Sequence, residues 1–349
     1  MRNLTNNKRI LTGLLPGEIV EIIPPGKENY RGTQIFRWIN ERFVRTFDEM
    51  TNLPKQFREE LAQHFMIESL VRDNHITSGD GTTDKFTWKL HDGAVIESVI
   101  IREEDRITAC ISSQVGCARG CAFCRTAGMG FIRNLTAGEI IDQILLMSIF
   151  LKERGEKITN IVYMGMGEPL DNLTSVERSI RIFNMETGMG IGQRKITVST
   201  CGHIPGIKKL TDMFSRIGLA ISLNAPNNAV RDSLMPVNKK YPVEELMDAA
   251  RYFTEKTRRR ITFEYILIRG VNDSEEHAHA LASLCRRVPS KINLIVFNEF
   301  EGSPFRRPGD ATVERFQQIL YKRHMTAIIR KSKGRDILAS CGQLATRNT

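Results

Sequence analysis

The sequence predicts an α/β protein in which a parallel sheet follows a small helical domain and a β-hairpin linker. Its 349 residues, 41% of them hydrophobic, suffice for one large α/β domain and a smaller appendage. After Thr108, short apolar runs alternate with amphipathic patterns, a βαβ rhythm typical of parallel strands with right-handed crossovers. We expect a helical domain over 1–70, a hairpin linker over 71–104, the α/β domain over 105–325, and an edge strand with a terminal segment over 326–349.

The first part has the spacing of amphipathic helices. Between about residues 28 and 66, apolar side chains recur every three to four positions, with Pro54 separating two such stretches. The recurring residues are Ile35, Trp38, Ile39, Phe43, Phe57, Leu61 and Phe65. This pattern predicts a small helical domain at the amino terminus.

The linker is predicted to be a β-hairpin. Two extended runs, KFTWKL and AVIESVII, flank His91-Asp92-Gly93. Asp-Gly between extended runs is a strong signal for a two-residue hairpin turn.

Six parallel strands are predicted in the α/β domain, with a seventh at its edge. The six cover residues 108–112, 160–164, 195–200, 219–223, 261–268 and 292–297, and the edge strand covers 327–329. The first helix has a clear start, because Thr136 and Glu139 form the T-x-x-E capping box.

Polar and glycine-rich segments follow these strands at their carboxyl ends. A cysteine run follows the first strand, GMGEP (165–169) follows the second, and Ser199 ends the third. Residues 222–224 end the fourth strand and Asn298 ends the sixth. Since chemistry in parallel α/β folds lies at this edge of the sheet, we expect these segments to share one rim.

The cysteine run is Cys117, Cys121 and Cys124, spaced C-x-x-x-C-x-x-C. Three closely spaced thiolates can hold three irons of a [4Fe-4S] cluster and leave the fourth iron open to a ligand. This spacing resembles that of radical S-adenosylmethionine (SAM) enzymes, in which SAM chelates the open iron. A zinc site completed by a distant ligand such as His203 is the alternative for the same cysteines.

The charge of the chain favours a polyanionic partner. Fifty Lys and Arg against forty Asp and Glu give a formal charge of +10 and a pI near 9.3, which indicates nucleic acid. The amino terminus lacks the apolar stretch of a signal peptide, and the longest apolar region, 140–151, is too short to span a membrane. We therefore expect a cytoplasmic protein whose seven cysteines are reduced, ligate metal or take part in catalysis.

Binding of SAM requires flexible backbone near its amino group, an acceptor for ammonium protons, and partners for its ribose and carboxylate. The GMGEP turn offers the first two, and strand-end hydroxyls and amides offer the rest. The predicted cofactor-binding residues are Gly167, Glu168, Ser199, Ser222, Leu223, Asn224 and Asn298.

Over nearly all its length the sequence resembles the RlmN/Cfr family of dual-function RNA methyltransferases. The matching stretches include CISSQVGCARGCAFC, YMGMGEPLDN, ITVSTCGHIPGI, LAISLNAPN, FEYILIRGVND, NLIVFN and DILASCGQLA. The resemblance implies a partial (β/α)6 barrel, an RNA-binding helical domain, a [4Fe-4S] cluster with SAM, and methylation of an adenine carbon in 23S rRNA and, in some members, in tRNA. GMGEPL is more similar to the C2-methylating branch than to the C8 branch.

The resemblance also implies roles for three further residues. Cys341 aligns with the cysteine that first takes a methyl group from SAM. Loss of a hydrogen from that methyl group gives a methylene radical, which adds to the base. The cysteine aligned with Cys110 later attacks the sulfur of Cys341. A transient disulfide between Cys110 and Cys341 then releases the product. Glu97 aligns with the residue that accepts a proton from the adduct. Cys201 and Cys285 match no role and are expected to be buried core thiols.

Three positions depart from the family pattern: Arg125 stands where Ser is common, Asn224 where His is common, and Glu299 follows the last strand. These differences bear on substrate and regiochemistry rather than on SAM binding, because Asn at position 224 can still hydrogen-bond to SAM. The alternatives are C8 methylation or action on another RNA and, from a different class, a zinc-dependent RNA-binding protein. We expect a monomer that uses an external electron donor such as flavodoxin or ferredoxin, with no membrane partner.

Overall fold

The structure, a computed structural model, describes residues 8–24 and 30–345. Within those ranges no helix has the length and apolar character needed to cross a membrane. The start of the predicted helical pattern, near residue 28, lies outside the described residues, as do residues 346–349 of the terminal segment.

The amino-terminal part is helical, as predicted. Its helices are α1 (Pro16–Ile22), α2 (Tyr30–Asn40) and α3 (Lys55–His64), with a 3-10 turn at Phe47–Glu49. Ile35, Ile39 and Leu61 are fully buried among these elements, which is the face that the three-to-four spacing predicts. Two short strands, β1 (Arg9–Ile10) and β2 (Phe65–Met66), pair in parallel and bring the two ends of this part together.

The hairpin linker forms, and it extends the main sheet. Its strands are β3 (Val71–Thr77), β4 (Thr83–Lys89) and β5 (Val95–Glu103), and they run antiparallel. Gly93, in the predicted Asp-Gly turn, has φ of +85°, a conformation that glycine adopts without strain. β3 escaped prediction because almost all its residues are exposed, so it carries no apolar alternation.

All six predicted parallel strands and the edge strand are present, with ends within two residues of the predictions. The observed strands are β6 (Arg106–Cys110), β9 (Asn160–Tyr163), β10 (Ile196–Thr200), β11 (Gly218–Ser222), β12 (Ile261–Leu267), β13 (Ser290–Val296) and β14 (Ala327–Arg330); two further strands, β7 (Gln114–Gly116) and β8 (Phe131–Asn134), form a separate pair. The ten-stranded sheet has the order β14-β13-β12-β11-β10-β9-β6-β5-β4-β3. Since neighbours from β6 to β14 are parallel, their carboxyl ends meet at one edge.

Helices connect the parallel strands. They are α4 (Arg125–Gly128), α5 (Ala137–Lys152), α6 (Leu173–Asn184), α7 (Ile204–Met213), α8 (Asn228–Leu234), α9 (Val243–Thr257), α10 (Glu275–Cys285) and α11 (Asp310–Lys322). The predicted capping box starts α5, since the backbone N–H of Glu139 donates to Thr136 Oγ1 at 3.2 Å. Asp142 of α5 accepts hydrogen bonds from both the backbone N–H and the hydroxyl of Ser69, each at 2.6 Å. Helix α5 therefore anchors the segment that leads from the helical part into the sheet.

Candidate active site

The carboxyl edge of the parallel sheet surrounds an open cavity of about 940 Å³, a volume that includes solvent at its mouth. Residues from each of the strands β9 to β14 line it, so the sheet curves around the cavity as a partial barrel does. The predicted site residues that line it are Cys117, Cys121, Cys124, Gly167, Glu168, Ser199, Ser222 and Cys341. The predicted shared rim is therefore present.

The three clustered cysteines lie on a short loop, residues 117–124, which we call the cysteine loop. The loop leaves β7 through Gly116, whose φ is +70° and whose added Cβ would lie 1.9 Å from the carbonyl oxygen of Gly130. Only glycine fits there. Cys117 N–H donates to Gly130 O at 2.8 Å and Cys124 N–H to Cys121 O at 3.1 Å, so backbone bonds fold the loop tightly.

The chemistry of these thiols fits a soft metal cluster. Burial raises the pKa of Cys117 to about 12, and burial together with the neighbouring Cys124 and Cys117 raises the pKa of Cys121 above its usual range. Three neighbouring thiols in a confined site exchange their protons for soft cations. A [4Fe-4S] cluster takes one of these thiolates for each of three irons, whereas a single metal ion needs several ligands that converge on it. In the part of the chain that the structure describes, no three His, Cys, Asp or Glu side chains are arranged to hold one metal ion.

His203, the residue considered as a fourth zinc ligand, does not line the cavity. Its Nδ1 lies 3.2 Å from the carbonyl oxygen of Leu170 and 3.6 Å from Asp171 Oδ1. Its ring also packs near Tyr241. Among the described residues, His203 does not join the clustered cysteines in a group that could hold a metal ion.

The GMGEP turn approaches the cysteine loop from β9. Gly167 has φ of +95°, and an added Cβ would fall 2.5 Å from Gln114 Cβ, so the turn requires glycine. Glu168 is buried, and its two carboxylate oxygens accept from the backbone N–H groups of Leu170 at 3.1 Å and Cys201 at 2.7 Å. Each oxygen keeps a lone pair that can accept from a ligand.

Three predicted cofactor-binding residues do not line the cavity: Leu223, Asn224 and Asn298. Asn224 is fully buried with φ of +57°, and its Oδ1 accepts from Ile266 N–H at 2.9 Å. Asn298 donates from Nδ2 to the carbonyl oxygen of Cys341 at 3.2 Å. In this structure both amides hold backbone around the cavity, while Ser199 and Ser222 face it.

Cys341 reaches the cavity on a segment that we call the tail, residues 340–345. The tail is tied to the residues after the cysteine loop, because Arg125 N–H donates to Gly342 O at 2.9 Å and Thr126 Oγ1 donates to Leu344 O at 2.6 Å. Burial raises the pKa of Cys341, and the Arg330 guanidinium opposes that rise. The structure thus places this distant thiol beside the three clustered ones.

Cys110 ends β6 and is buried behind the cavity lining. Burial raises the pKa of Cys110 to about 12, and the charge of Cys341 contributes to the rise. All seven cysteines are free thiols. A standing disulfide is therefore not supported in this structure, and the transient pairing of Cys110 with Cys341 stays a prediction.

Glu97 lies on β5 and does not line the cavity. Its Oε1 is 3.1 Å from Lys85 Nζ, and its Oε2 accepts from the backbone N–H of Ala345 at 3.0 Å. Burial raises the pKa of this carboxyl, and Lys85 opposes the rise. The tail therefore bonds directly to Glu97, although the Glu97 side chain does not line the cavity.

Sequence reasoning missed four charged residues of the site, which are Arg119, Arg231, Glu264 and Arg330. Arg231 is fully buried and donates to the carbonyl oxygens of Cys201 at 2.6 Å and Leu223 at 3.0 Å, which fixes two strand ends. Glu264 and Arg330 line the cavity itself. A charged residue at an inward position of an apolar strand was the signal available for Glu264.

Comparison with known proteins agrees with this geometry. Residues 111–282 match the Radical SAM superfamily, and residues 22–67 match the ribosomal RNA large subunit methyltransferase N-terminal domain. A dual-specificity RNA methyltransferase RlmN from Desulfosudis oleivorans is 49% identical over 90% of this chain and 85% of its own, and one from Desulfotalea psychrophila is 45% identical over 99% and 97%. The chain belongs to the RlmN family of radical SAM RNA methyltransferases.

A solved structure supports the same assignment. The crystal structure of a radical SAM methyltransferase from Sphaerobacter thermophilus is 44% identical, with a TM-score of 0.94, and the match covers 96% of this chain and 99% of that one. The resemblance to the family, the radical SAM α/β fold, the enzyme class and the use of a [4Fe-4S] cluster with SAM are thereby confirmed. The substrate class of the family is RNA.

Proposed function

We propose that this enzyme methylates C2 of an adenosine in 23S rRNA, and of an adenosine in tRNA, by way of a methyl group carried on Cys341. The observation that supports this most directly is the position of Cys341, which the tail holds in the same cavity as the three clustered cysteines. The relatives named dual-specificity RNA methyltransferase support two kinds of RNA substrate. A cytoplasmic location, a monomeric state and a flavodoxin or ferredoxin as electron donor remain predictions.

Two groups of residues hold the cofactors in this proposal. Cys117, Cys121 and Cys124 bind the cluster as thiolates, and the GMGEP turn with Ser199 and Ser222 binds SAM. When bound, the cluster and SAM supply a methyl group for a sulfur nucleophile and a carbon-centred radical. Chemistry of this kind is needed because C2 of adenine is an sp² carbon without an accessible acidic proton.

Cys341 acts first as a nucleophile. Its thiol must lose a proton to attack a methyl carbon, since the thiolate is the reactive form. The guanidinium of Arg330 favours that thiolate, because it opposes the effect of burial on the pKa of Cys341. The product is a neutral thioether, which suits a cavity lined largely by apolar groups.

Glu97 and Cys110 act after the methylene group has joined the base. The radical adduct must lose one electron, for which the bound cluster would be the acceptor, and one proton. Glu97 accepts that proton, and Lys85 stabilises its ionised form. Cys110 then attacks the sulfur of Cys341 as a thiolate. The S–S bond forms as the bond between Cys341 sulfur and the methylene carbon breaks, the electron pair leaves with carbon, and a cellular thiol reductant later restores both thiols.

The bond between Ala345 and Glu97 implies an order of events. Because Glu97 does not line the cavity and its Oε2 accepts the N–H of Ala345 in the tail, the tail must shift before the carboxylate contacts the adduct. Ser340 and Gly342 flank the methylated residue, so a shift of the tail moves Cys341 and frees Glu97 together. The substrate adenine must leave its stack to reach this cavity, as in other base-modifying enzymes.

The experiment that tests the proposal compares nucleoside products. Enzyme reconstituted with iron and sulfide is incubated with SAM, a reductant and fragments of 23S rRNA or tRNA, and the digested nucleosides are separated by mass and retention. We expect 2-methyladenosine from both RNAs. Only 8-methyladenosine would replace the proposal with C8 methylation, and no methylated adenosine from either RNA would refute it.

A further inference from the structure

A buried carboxylate in the cavity has an oxygen that the protein does not use. Glu264, on β12, is 5% exposed and lines the cavity together with Cys341. Its Oε1 accepts a hydrogen bond from Asn293 Nδ2 at 3.0 Å. Its Oε2 is sealed from solvent and accepts no hydrogen bond from any residue that the structure describes.

An unsatisfied carboxylate oxygen in a protein interior is costly and calls for an explanation. The guanidinium of Arg330 is a candidate donor to Glu264 Oε2, because it lines the same cavity from β14. The described residues, however, contain no ion pair between the two within 4.0 Å. Arg330 thus balances the charge of Glu264 from a distance and leaves its oxygen available to a molecule that enters the cavity.

The surroundings of Glu264 restrict what that molecule can be. Ile266 and Ile295 line the cavity beside it, which suits the faces of a flat ring. A carboxylate oxygen accepts hydrogen bonds and donates none, so it selects a group bearing N–H or O–H and repels carbonyls and phosphates. Cys341 lines the same cavity as Glu264, whose charge raises the pKa of the Cys341 thiol. The ligand group therefore lies beside the sulfur that carries the methyl group.

We propose that Glu264 recognises the target base itself, accepting a hydrogen bond from the exocyclic amino group of the extruded adenine. This inference rests on the proposed function, because it requires the target adenine to enter the cavity next to Cys341. Enzymes that flip a base read it through hydrogen bonds to its edge, and the amino group is the feature that separates adenine from hypoxanthine. Glu264 is thus a specificity-determining residue.

Burial raises the pKa of Glu264, and Arg330 is the largest influence that lowers it. The ionised form, which is a pure acceptor, is therefore favoured by the same guanidinium that favours the Cys341 thiolate. One cation supports both base recognition and methyl acceptance.

The test combines enzyme variants with single-atom changes in the substrate. RNA fragments carry adenosine, purine riboside or inosine at the target position; all three have hydrogen on C2, and only adenosine has the 6-amino group. For wild-type enzyme we expect purine riboside and inosine to lower single-turnover methylation about 10- to 100-fold, the effect of one hydrogen bond to a charged group. Glu264→Met should lose a similar factor on adenosine RNA and no longer distinguish adenosine from purine riboside.

Glu264→Gln gives a second, near-isosteric readout if the methionine variant folds poorly. The amide can place its NH₂, a donor, where the acceptor Oε2 lies. The variant should therefore show a smaller or reversed preference for adenosine RNA over inosine RNA. Glu255→Gln, at an exposed position of α9, is the matched control and should behave like wild type. Iron content and melting temperature report on folding of each variant.

Two results would overturn the inference. If Glu264→Met lowers methylation but keeps the full discrimination between adenosine and purine riboside, the role of Glu264 is structural. If it weakens SAM binding and slows formation of 5′-deoxyadenosine in the absence of RNA, Glu264 serves the cofactor instead. Failure of wild-type enzyme to methylate any adenosine RNA is a separate outcome, which refutes the proposed function before this comparison begins.

Discussion

The cysteine loop and the tail bring thiols to the same cavity by different means. The loop holds three thiols within eight residues through short-range backbone bonds, such as Cys124 N–H to Cys121 O. The tail is held by hydrogen bonds with residues more than two hundred positions away, among them Thr126 and Glu97. The part that holds cofactors is therefore locally encoded, whereas the part that transfers the methyl group depends on tertiary contacts. The two should be separable by mutation.

The largest effect should come from the cysteine loop. Cys117→Ala removes a cluster ligand, so we expect loss of bound iron, of 5′-deoxyadenosine formation and of RNA methylation. Cys341→Ala should abolish RNA methylation alone and keep iron and SAM binding. Iron and sulfide analysis with SAM titration checks both variants.

A matched control for these variants is Cys285→Ala, because Cys285 is fully buried on α10 and lines no part of the cavity. It should lower stability by about 1 kcal/mol through a small void and keep iron and activity. Full RNA methylation by Cys341→Ala would contradict the conclusion that the tail, and not the cysteine loop, transfers the methyl group.

An intermediate effect is expected at Glu97, which bonds to the tail. Glu97→Gln removes the proton acceptor and should slow product formation by about 10²- to 10⁴-fold while leaving Cys341 methylation intact. Because burial raises the pKa of Glu97, wild-type product formation should fall as pH is lowered, and it should do so at a higher pH than an ordinary glutamate would require.

The pH profile of single-turnover product formation measures this directly. In Glu97→Gln the acidic limb should be absent from the residual rate. An unchanged rate and an unchanged acidic limb in this variant would exclude Glu97 as the acceptor.

The smallest effect should come from the contacts that dock the tail. Thr126→Val removes the hydrogen bond to Leu344 O, worth about 1 kcal/mol, so we expect RNA methylation to slow about fivefold. Iron content and 5′-deoxyadenosine formation should stay at wild-type values. A loss of iron in Thr126→Val would show that the loop and the tail form one unit.

The locally encoded features were the ones that sequence could predict. The Thr136 capping box, the Asp92-Gly93 turn and the parallel strands all carry short-range signals, and the structure contains them. Strand β3 has no such signal because its exposed residues do not alternate in polarity. Local pattern therefore determined most of the fold.

The site was less accessible to sequence reasoning wherever a role depends on where a side chain points. Ser222 and Asn224 lie two residues apart, yet Ser222 lines the cavity and Asn224 binds the backbone of Ile266. Glu97 bonds to the tail and does not line the cavity. Cys341 and Cys110 were assigned roles only through family resemblance, since no spacing in the sequence relates one to the other.

The central claim is that Cys341 carries the methyl group from SAM to RNA, and one measurement tests it most directly. Reconstituted enzyme is given SAM with a deuterated methyl group and no RNA, and peptide 336–347 is analysed by mass spectrometry before and after RNA and reductant are added. We expect one labelled methyl group on Cys341 before RNA is added, and its carbon in the RNA afterwards with an unlabelled cysteine. RNA that becomes methylated while Cys341 never carries the label would contradict the account.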